Sequence, residues 1–394
     1  MTQRLDAFGA GWDLDVSGLG EPMAGRLRGL WARAASGAVP SSEVLPYVVE
    51  RTDTGLSVDG VPHRASDAEL PYLLSRALTM ASIRRRTGQC LLLHAAGVSA
   101  PDGATVALVA ASGTGKTTAA RVLGQHLGYV SDETVAVEDD LTVRPWAKPL
   151  SVLLDPSDPF DKAESGPDEL GLARAPERLH LAAVVLLARD PGQPAPVLEP
   201  VPLVEALAEV VPQTSALLRL PRPMESVVTA LTTGGGPWRL RYAEVADCVE
   251  LVAGLAAGSG ASEPPVEWST ERGDEPPDGE DVDTAGDAGV VDDGNEQSAG
   301  VDLPSGVLLE RTPFRHAVHS EGSSFVVRGQ VPAVLPGLAS TLWRAAGAPV
   351  PLHDLVGAAV AAHGAHPEAE QLVTATVRAL LASGHVAPAV TRRP

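Results

Sequence analysis

The sequence predicts an α/β protein built on a mixed sheet, followed by a smaller C-terminal domain. Three observations predict it. Wholly apolar runs such as VALV, LLL and AAVVLL stand beside segments that alternate apolar and polar residues, so strands covered on both faces coexist with half-wet antiparallel ones. Helical periodicity falls between those runs, at 69–86 and 119–127. A stretch from Ser259 to Asp302 carries fourteen acidic residues and one basic residue, Arg272, and divides the chain in two.

At 394 residues, with 44% hydrophobic and 20% charged residues, the chain can form two or three domains with proper cores. It contains no apolar run long enough for a membrane span. Its first residues, MTQRLDAFGAGWDLDV, lack the basic-then-apolar form of a signal peptide, so the expectation is a soluble cytoplasmic protein with no membrane partner. Of the net charge of −20, −13 lies between Ser259 and Asp302. No basic stripe with interleaved aromatics occurs, which argues against nucleic acid as a partner. The sole basic cluster, Arg84 to Arg86, suits a solvated helix face. Cys90 and Cys248 are far apart and have no histidines at ligand spacing, so inert buried thiols are expected rather than a disulfide or zinc site.

Along the chain, SEVLPYVVERTDTGLSVDGVPHRAS alternates about TDTG and DG turn signals and predicts a short antiparallel β region. A helix follows from Glu69 to about Arg86. Then GQCLLLHAAGVSA and GATVALVAA read as two strands joined by the turn APDG. Leu179 to Asp190 reads as a further buried strand and VPLVEALAEVV as a helix. The resulting organisation is a β-rich and helical region at 1–87, an α/β core at 88–258, an acidic, disordered linker at 259–302 and a compact domain at 303–394. The linker assignment rests on composition: a stretch so rich in Asp, Glu, Gly and Pro buries too little apolar surface to offset its ordering entropy.

Residues 105–118, TVALVAASGTGKTT, run from an apolar strand through a Gly-rich turn into a helix, the context in which a P-loop cradles phosphate. The segment Ser112, Gly113, Thr114, Gly115, Lys116, Thr117 and Thr118 is the candidate ATP-binding loop. Gly113 and Gly115 let backbone N–H groups approach phosphate oxygens, and the helix points its positive dipole end at them. Lys116 would reach the β and γ phosphates, and Thr117 offers its hydroxyl to Mg²⁺. The usual first glycine is replaced by Ala110.

Sixteen residues beyond Lys116, GYVSDETVAV sets Asp132 and Glu133 at the end of a short apolar segment. Adjacent carboxylates there suit both Mg²⁺ and proton acceptance, with Thr117, Asp132 and Glu133 as the candidate metal set. His94 stands 22 residues before Lys116, at the end of the run Leu91 to Leu93, and joins Asp132 and Lys116 as a candidate catalytic residue. Asp190, the alternative acid after a strand, is followed by Pro191 and Gly192 and reads as a turn former. Arg189, Arg239 and Arg241 are candidates for a cation that meets transition-state charge.

The strings LLLHAAGV, AASGTGKTT and YVSDETV together resemble the catalytic core of the HPr kinase family, over roughly residues 88–190. The resemblance implies a P-loop domain with a mixed sheet, related to phosphoenolpyruvate carboxykinase. It also implies Asp132 as the base that deprotonates an acceptor hydroxyl, with Glu133 in the place of the second acid. Glu133 where the family has Asp, Ala110 in the loop, and the lack of the family's later glycine- and asparagine-rich signature all depart from the pattern and put the family's own protein substrate in question. Members are often oligomers.

After Val307, two alternating strands are expected about EGSS, then a helix over Gly337 to Ala346 and two further helices. The order resembles a small winged-helix domain of the PqqD-like kind, on LPGLASTLWRAAG and VRALLASGHV. That resemblance implies a leader peptide added as an extra strand. Leu342 and Trp343 read as core, and His363 and His366 as solvated loop histidines. The expected function is an ATP-dependent kinase that phosphorylates a hydroxyl, such as serine, of a protein or peptide. The alternatives are an ATP-hydrolysing partner protein without kinase activity, or a module that holds nucleotide without chemistry.

Overall fold

The computed structural model describes residues 2–35, 44–53, 55–111, 113–153, 162–258, 265–275, 289–290 and 306–389. Two compact units emerge: Met1–Val201 with Gln213–Pro265, and Pro202–Pro212 with Val266–Pro394.

The first unit opens with a five-stranded sheet, in the order Thr2–Ala7, Ala10–Gly18, Leu45–Thr52, Gly55–Val58 and Val61–His63. The expected antiparallel region accounts for its last three strands, and Leu45–Thr52 runs parallel to Ala10–Gly18 on its other side. Helix Leu70–Arg86 starts where Glu69 accepts hydrogen bonds from the N–H (2.8 Å) and hydroxyl (2.7 Å) of Ser66, and Pro71 fits its first turn. Its buried residues Leu70, Leu74 and Leu78 share a core with Trp12, Trp31, Tyr47 and Trp146.

The larger sheet of this unit is mixed. Ala104–Val109, buried along its whole length, pairs antiparallel with Ala95–Ser99 and parallel with Leu179–Arg189. Gly128–Ser131 lies beyond Ala95–Ser99, antiparallel to it. Leu179–Arg189 also pairs parallel with Trp238–Tyr242. Val106 and Leu108 pack with Ala119, Ala120 and Leu123 of helix Lys116–Leu123 and with Val252 and Leu255 of helix Val249–Ala256.

In the second unit, Ser269–Arg272, His316–Ser320, Ser323–Arg328, Val331–Leu335 and Gly289–Val290 form one sheet in that order. Helices Gly337–Ala345, Leu352–His363 and Ala369–Ala382 close a core around Phe314, Leu342, Trp343 and Leu380. Leu342 and Trp343 are core residues. His363 ends its helix with Nε2 2.9 Å from Thr341 Oγ1, and His366 accepts the Glu368 N–H through Nδ1.

Two expectations are corrected. The acid-rich stretch is not structureless throughout, because Ser269–Arg272 is a strand; 259–264, 276–288 and 291–302 lie outside the described residues. The expected helix forms at Leu203–Val210, but within the second unit, against strands His316–Ser320, Ser323–Arg328 and Val331–Leu335. Its buried Leu203, Val204, Leu207 and Val210 explain why: an apolar stripe needs a partner face, and each such side chain gains about 2 kcal/mol on burial.

A fragment ending at Gly258 therefore leaves that stripe uncovered. In sedimentation velocity it should self-associate more than the full chain, and Leu207→Glu within the fragment should reverse this. An unsubstituted fragment that stays as dispersed as the full chain would contradict the placement of the helix.

Candidate functional site

The candidate loop follows Val109 and ends in Gly115, whose φ of 101° takes the N-cap position of helix Lys116–Leu123. Gly113 has φ 80°, and around neither glycine does any atom lie within 4 Å of an added Cβ. Backbone angles, not crowding, therefore demand glycine at both positions, and the open space above them is available to a ligand. Ser112 lies outside the described residues. The Thr114 hydroxyl donates to the Ala111 carbonyl (2.6 Å) and braces the loop.

Lys116 is folded back over this loop. Its Nζ donates to the carbonyls of Ala110 (2.6 Å) and Ala111 (3.1 Å). Burial lowers its pKa to about 8, with Glu133 partly countering. A cleft of about 800 Å³ opens beside it and is lined by His94, Gly113, Gly115, Lys116, Thr117 and Thr118 on one side and by Asp132 and Glu133 on another. The structure thus brings the candidate residues of three separate segments to one cleft. His94 is partly buried there; burial and the Lys116 charge hold its pKa below the usual histidine value, with Glu133 and Asp132 partly countering.

Asp132 follows directly from strand Gly128–Ser131 and is 5% exposed. Its Oδ1 receives Lys148 Nζ at 2.9 Å, and the Tyr129 hydroxyl lies 3.1 Å away. That hydroxyl also stands 3.2 Å from the Lys148 carbonyl, so its single proton has two acceptors. Glu133 is more exposed, with Oε2 at 3.3 Å from Lys148 Nζ. Ser131 Oγ accepts the N–H groups of Glu133 and Thr134, fixing the turn that aims both acids. Burial alone would depress the Lys148 pKa; Asp132, Glu133 and Glu164 overturn it and push the ammonium above its ordinary value.

Sequence reasoning missed Lys148, Glu164 and Tyr129. A lysine set between Trp146 and Leu150 in an apolar stretch was the one available signal of a buried cation. Glu164 comes from strand Lys162–Ser165, paired with Leu150–Leu153, and is 7% exposed. Its Oε2 has no hydrogen-bond partner, and burial, opposed by Lys148, raises its pKa to about 7. Helix Leu70–Arg86 adds Tyr72, Ser75 and Arg76 to the same cleft.

Other sequence candidates lie elsewhere. Asp190 accepts the Gly192 N–H (2.9 Å) as a turn residue and lies 3.6 Å from Arg241. Arg189 pairs with Glu244. None of Arg189, Arg239 or Arg241 lines the cleft, whereas Arg76 and Arg121 do. Cys90 and Cys248 are free and buried, with burial raising both thiols to about 11. Among the described residues no group of three or more His, Cys, Asp or Glu forms a metal cage, and no helix is long and apolar enough to cross a membrane.

No protein-family model matches the chain, and no curated protein matches it. Among solved structures it is similar to the Hpr(Ser) kinase/phosphatase from Coxiella burnetii, at 10% identity over 43% of this chain and 95% of that one, with a TM-score of 0.25. At that score the likeness carries no weight for this chain's chemistry.

Two outcomes follow from the buried charges. Lys148→Met leaves Asp132 buried without its cation and should lower unfolding stability by about 3–5 kcal/mol in urea titrations. Glu164 has a native pKa raised from 4.5 to about 7, so the native state binds a proton that the unfolded chain has released. Its contribution is fully present below pH 4.5 and lost as pH rises through 7. Glu164→Gln should thus raise the melting temperature over wild type at pH 8 and leave it nearly unchanged at pH 4. An equal shift at both pH values would show that charge burial is not the cause.

Proposed function

We propose that the first unit is an ATP-dependent kinase that transfers the γ-phosphoryl group to a hydroxyl, a serine of a protein or peptide held by the second unit. One observation carries the reading: a glycine-bent loop with its lysine shares a cleft with Asp132, a buried carboxylate oriented by Lys148 and Tyr129. Loop amides and Lys116 would take the phosphates, once Lys116 exchanges the Ala110 and Ala111 carbonyls for phosphate oxygens. The Thr117 hydroxyl and the carboxylates of Asp132 and Glu133 are hard oxygen donors of the kind Mg²⁺ takes.

Bound Mg²⁺ would neutralise charge on the transferring phosphate. Asp132 accepts the proton of the incoming hydroxyl as its oxygen bonds to γ-phosphorus and the bond to the bridging oxygen of ADP breaks. Lys148 holds the Asp132 carboxylate in position at the cleft wall. Neutral His94 lies within the same wall and adds no positive charge at neutral pH. Covalent linkage of the two units raises the effective concentration of a held peptide at the cleft. Oligomerisation and a cytoplasmic location belong to the same proposal.

A second reading, ATP hydrolysis that drives partner docking without phosphorylation, draws on two contacts. Asp132 Oδ1 is already engaged by Lys148 Nζ at 2.9 Å and by the Tyr129 hydroxyl at 3.1 Å, which leaves that oxygen less room for a substrate proton. Incubation with γ-labelled ATP and serine-containing peptides separates the two: label on peptide supports the kinase, and release to water alone whatever the peptide removes it. Lys116→Ala should abolish productive nucleotide binding. Asp132→Asn should keep nucleotide binding and lower transfer by roughly 10² to 10⁴, the scale of a lost general base. Unchanged turnover in that variant would move the base elsewhere.

A further inference from the structure

The outer edge of the second unit's five-stranded sheet is built from the acid-rich stretch. Ser269–Arg272 pairs antiparallel with His316–Ser320, Ser269 opposite His319 and Arg272 opposite His316. The pairing continues beyond the strand, where the Gly273 N–H donates to the Arg315 carbonyl (2.9 Å) and the Glu275 N–H to that of Phe314 (3.1 Å). Ahead of the strand, the Ser320 hydroxyl donates to the Glu267 carbonyl (2.8 Å).

Apolar packing contributes little to this attachment. No residue from Val266 to Glu275 is fully buried, and Val266 and Trp268 are only partly covered. The unit's core cluster, which includes Leu309, Phe314, Val326 and Trp343, contains none of them. The edge segment can therefore leave without opening the core, and what it would uncover is a strand of main-chain donors and acceptors.

The segment's chief side-chain contact is a carboxylate in a prepared seat. Arg311 lies over the rings of Phe314 (5.0 Å) and Trp343 (5.1 Å). Held there, its guanidinium grips Glu271 with both terminal nitrogens, Nη1 at 3.1 Å from Oε2 and Nη2 on Oε1. His319 Nε2 stands 3.6 Å from the same carboxylate, its Nδ1 fixed at 2.7 Å from Ser324 Oγ. A second carboxylate, Glu275, accepts the Gly329 N–H at 2.8 Å. The seat is made wholly by the domain, and only the carboxylate belongs to the segment.

We infer that residues 267–275 are a resident, exchangeable occupant of a strand-docking edge, and that the edge takes in their place an extended peptide with a glutamate at the position of Glu271. This rests on the reading of the second unit as the peptide holder. The resident segment then competes with any partner from within the chain. It sets a threshold that only a peptide matching both the main-chain ladder and the Arg311 seat overcomes. Tethered at a millimolar effective concentration, it weakens apparent partner affinity by about 10- to 100-fold.

The test uses the full-length chain without nucleotide, so that failure of phosphoryl transfer leaves it unaffected. A fluorescein-labelled peptide of residues 266–276 is titrated and its anisotropy followed. Glu271→Arg in the chain places like charge on Arg311 and expels the resident segment, so the labelled peptide should bind that variant about 10- to 100-fold more tightly than wild type. A peptide with glutamine at the position of Glu271 should lose most of this gain, as should addition of Arg311→Ala to the variant. Equal affinity for wild type and variant, or for the two peptides, overturns the inference. Amide hydrogen exchange on the unsubstituted chain gives a second readout independent of any variant's folding. Residues 267–275 should exchange by local opening far faster than strand Ser323–Arg328, and equal protection would make the segment a permanent part of the fold.

Discussion

The ammonium of Lys148 holds the cleft together. It lies 5% exposed between Asp132 and Glu133 and feels the charge of Glu164. The acids come from the end of strand Gly128–Ser131 and from strand Lys162–Ser165, and Lys148 from the segment just before strand Leu150–Leu153. Buried charges lose hydration, and their attraction restores it only with close geometry and further hydrogen bonds. Tyr129 and the Pro149 carbonyl supply those bonds. An apolar group would pack as well, so what the ion pair adds is the fixed position of the Asp132 carboxylate.

The loop across the cleft is in a self-satisfied state. Lys116 spends its donors on Ala110 and Ala111, and Gly113 and Gly115 hold left-handed angles that keep the space above them open. The two sides of the site are therefore of different character. The acid side is fixed by buried electrostatics, whereas the loop side rests on contacts that a stronger acceptor such as phosphate can replace.

What could be read from the chain follows the range of the interactions involved. The loop was legible because a strand, a glycine turn and a helix are consecutive, and because Ala104–Val109 is apolar without alternation, as a strand covered on both faces must be. Asp132 and Glu133 were legible from their place at a strand end. Lys148, Tyr129 and Glu164 were not, since their roles come from long-range pairing that no local pattern encodes. Composition misled at Ser269–Arg272: four polar residues in an acidic stretch carry no hydrophobic signal, and main-chain bonds with one carboxylate in the Arg311 seat order them. The helix Leu203–Val210 was visible in its apolar spacing, but periodicity reveals a face without revealing what covers it.

The most direct measurement is a crystal structure grown with a non-hydrolysable ATP analogue and Mg²⁺. The triphosphate should lie over the backbone amides from Gly113 to Thr118, with Lys116 Nζ released from the Ala110 and Ala111 carbonyls and Asp132 still held by Lys148. A triphosphate bound elsewhere, or Lys116 still on those carbonyls beside an empty loop, would contradict a nucleotide site in this cleft and the kinase with it.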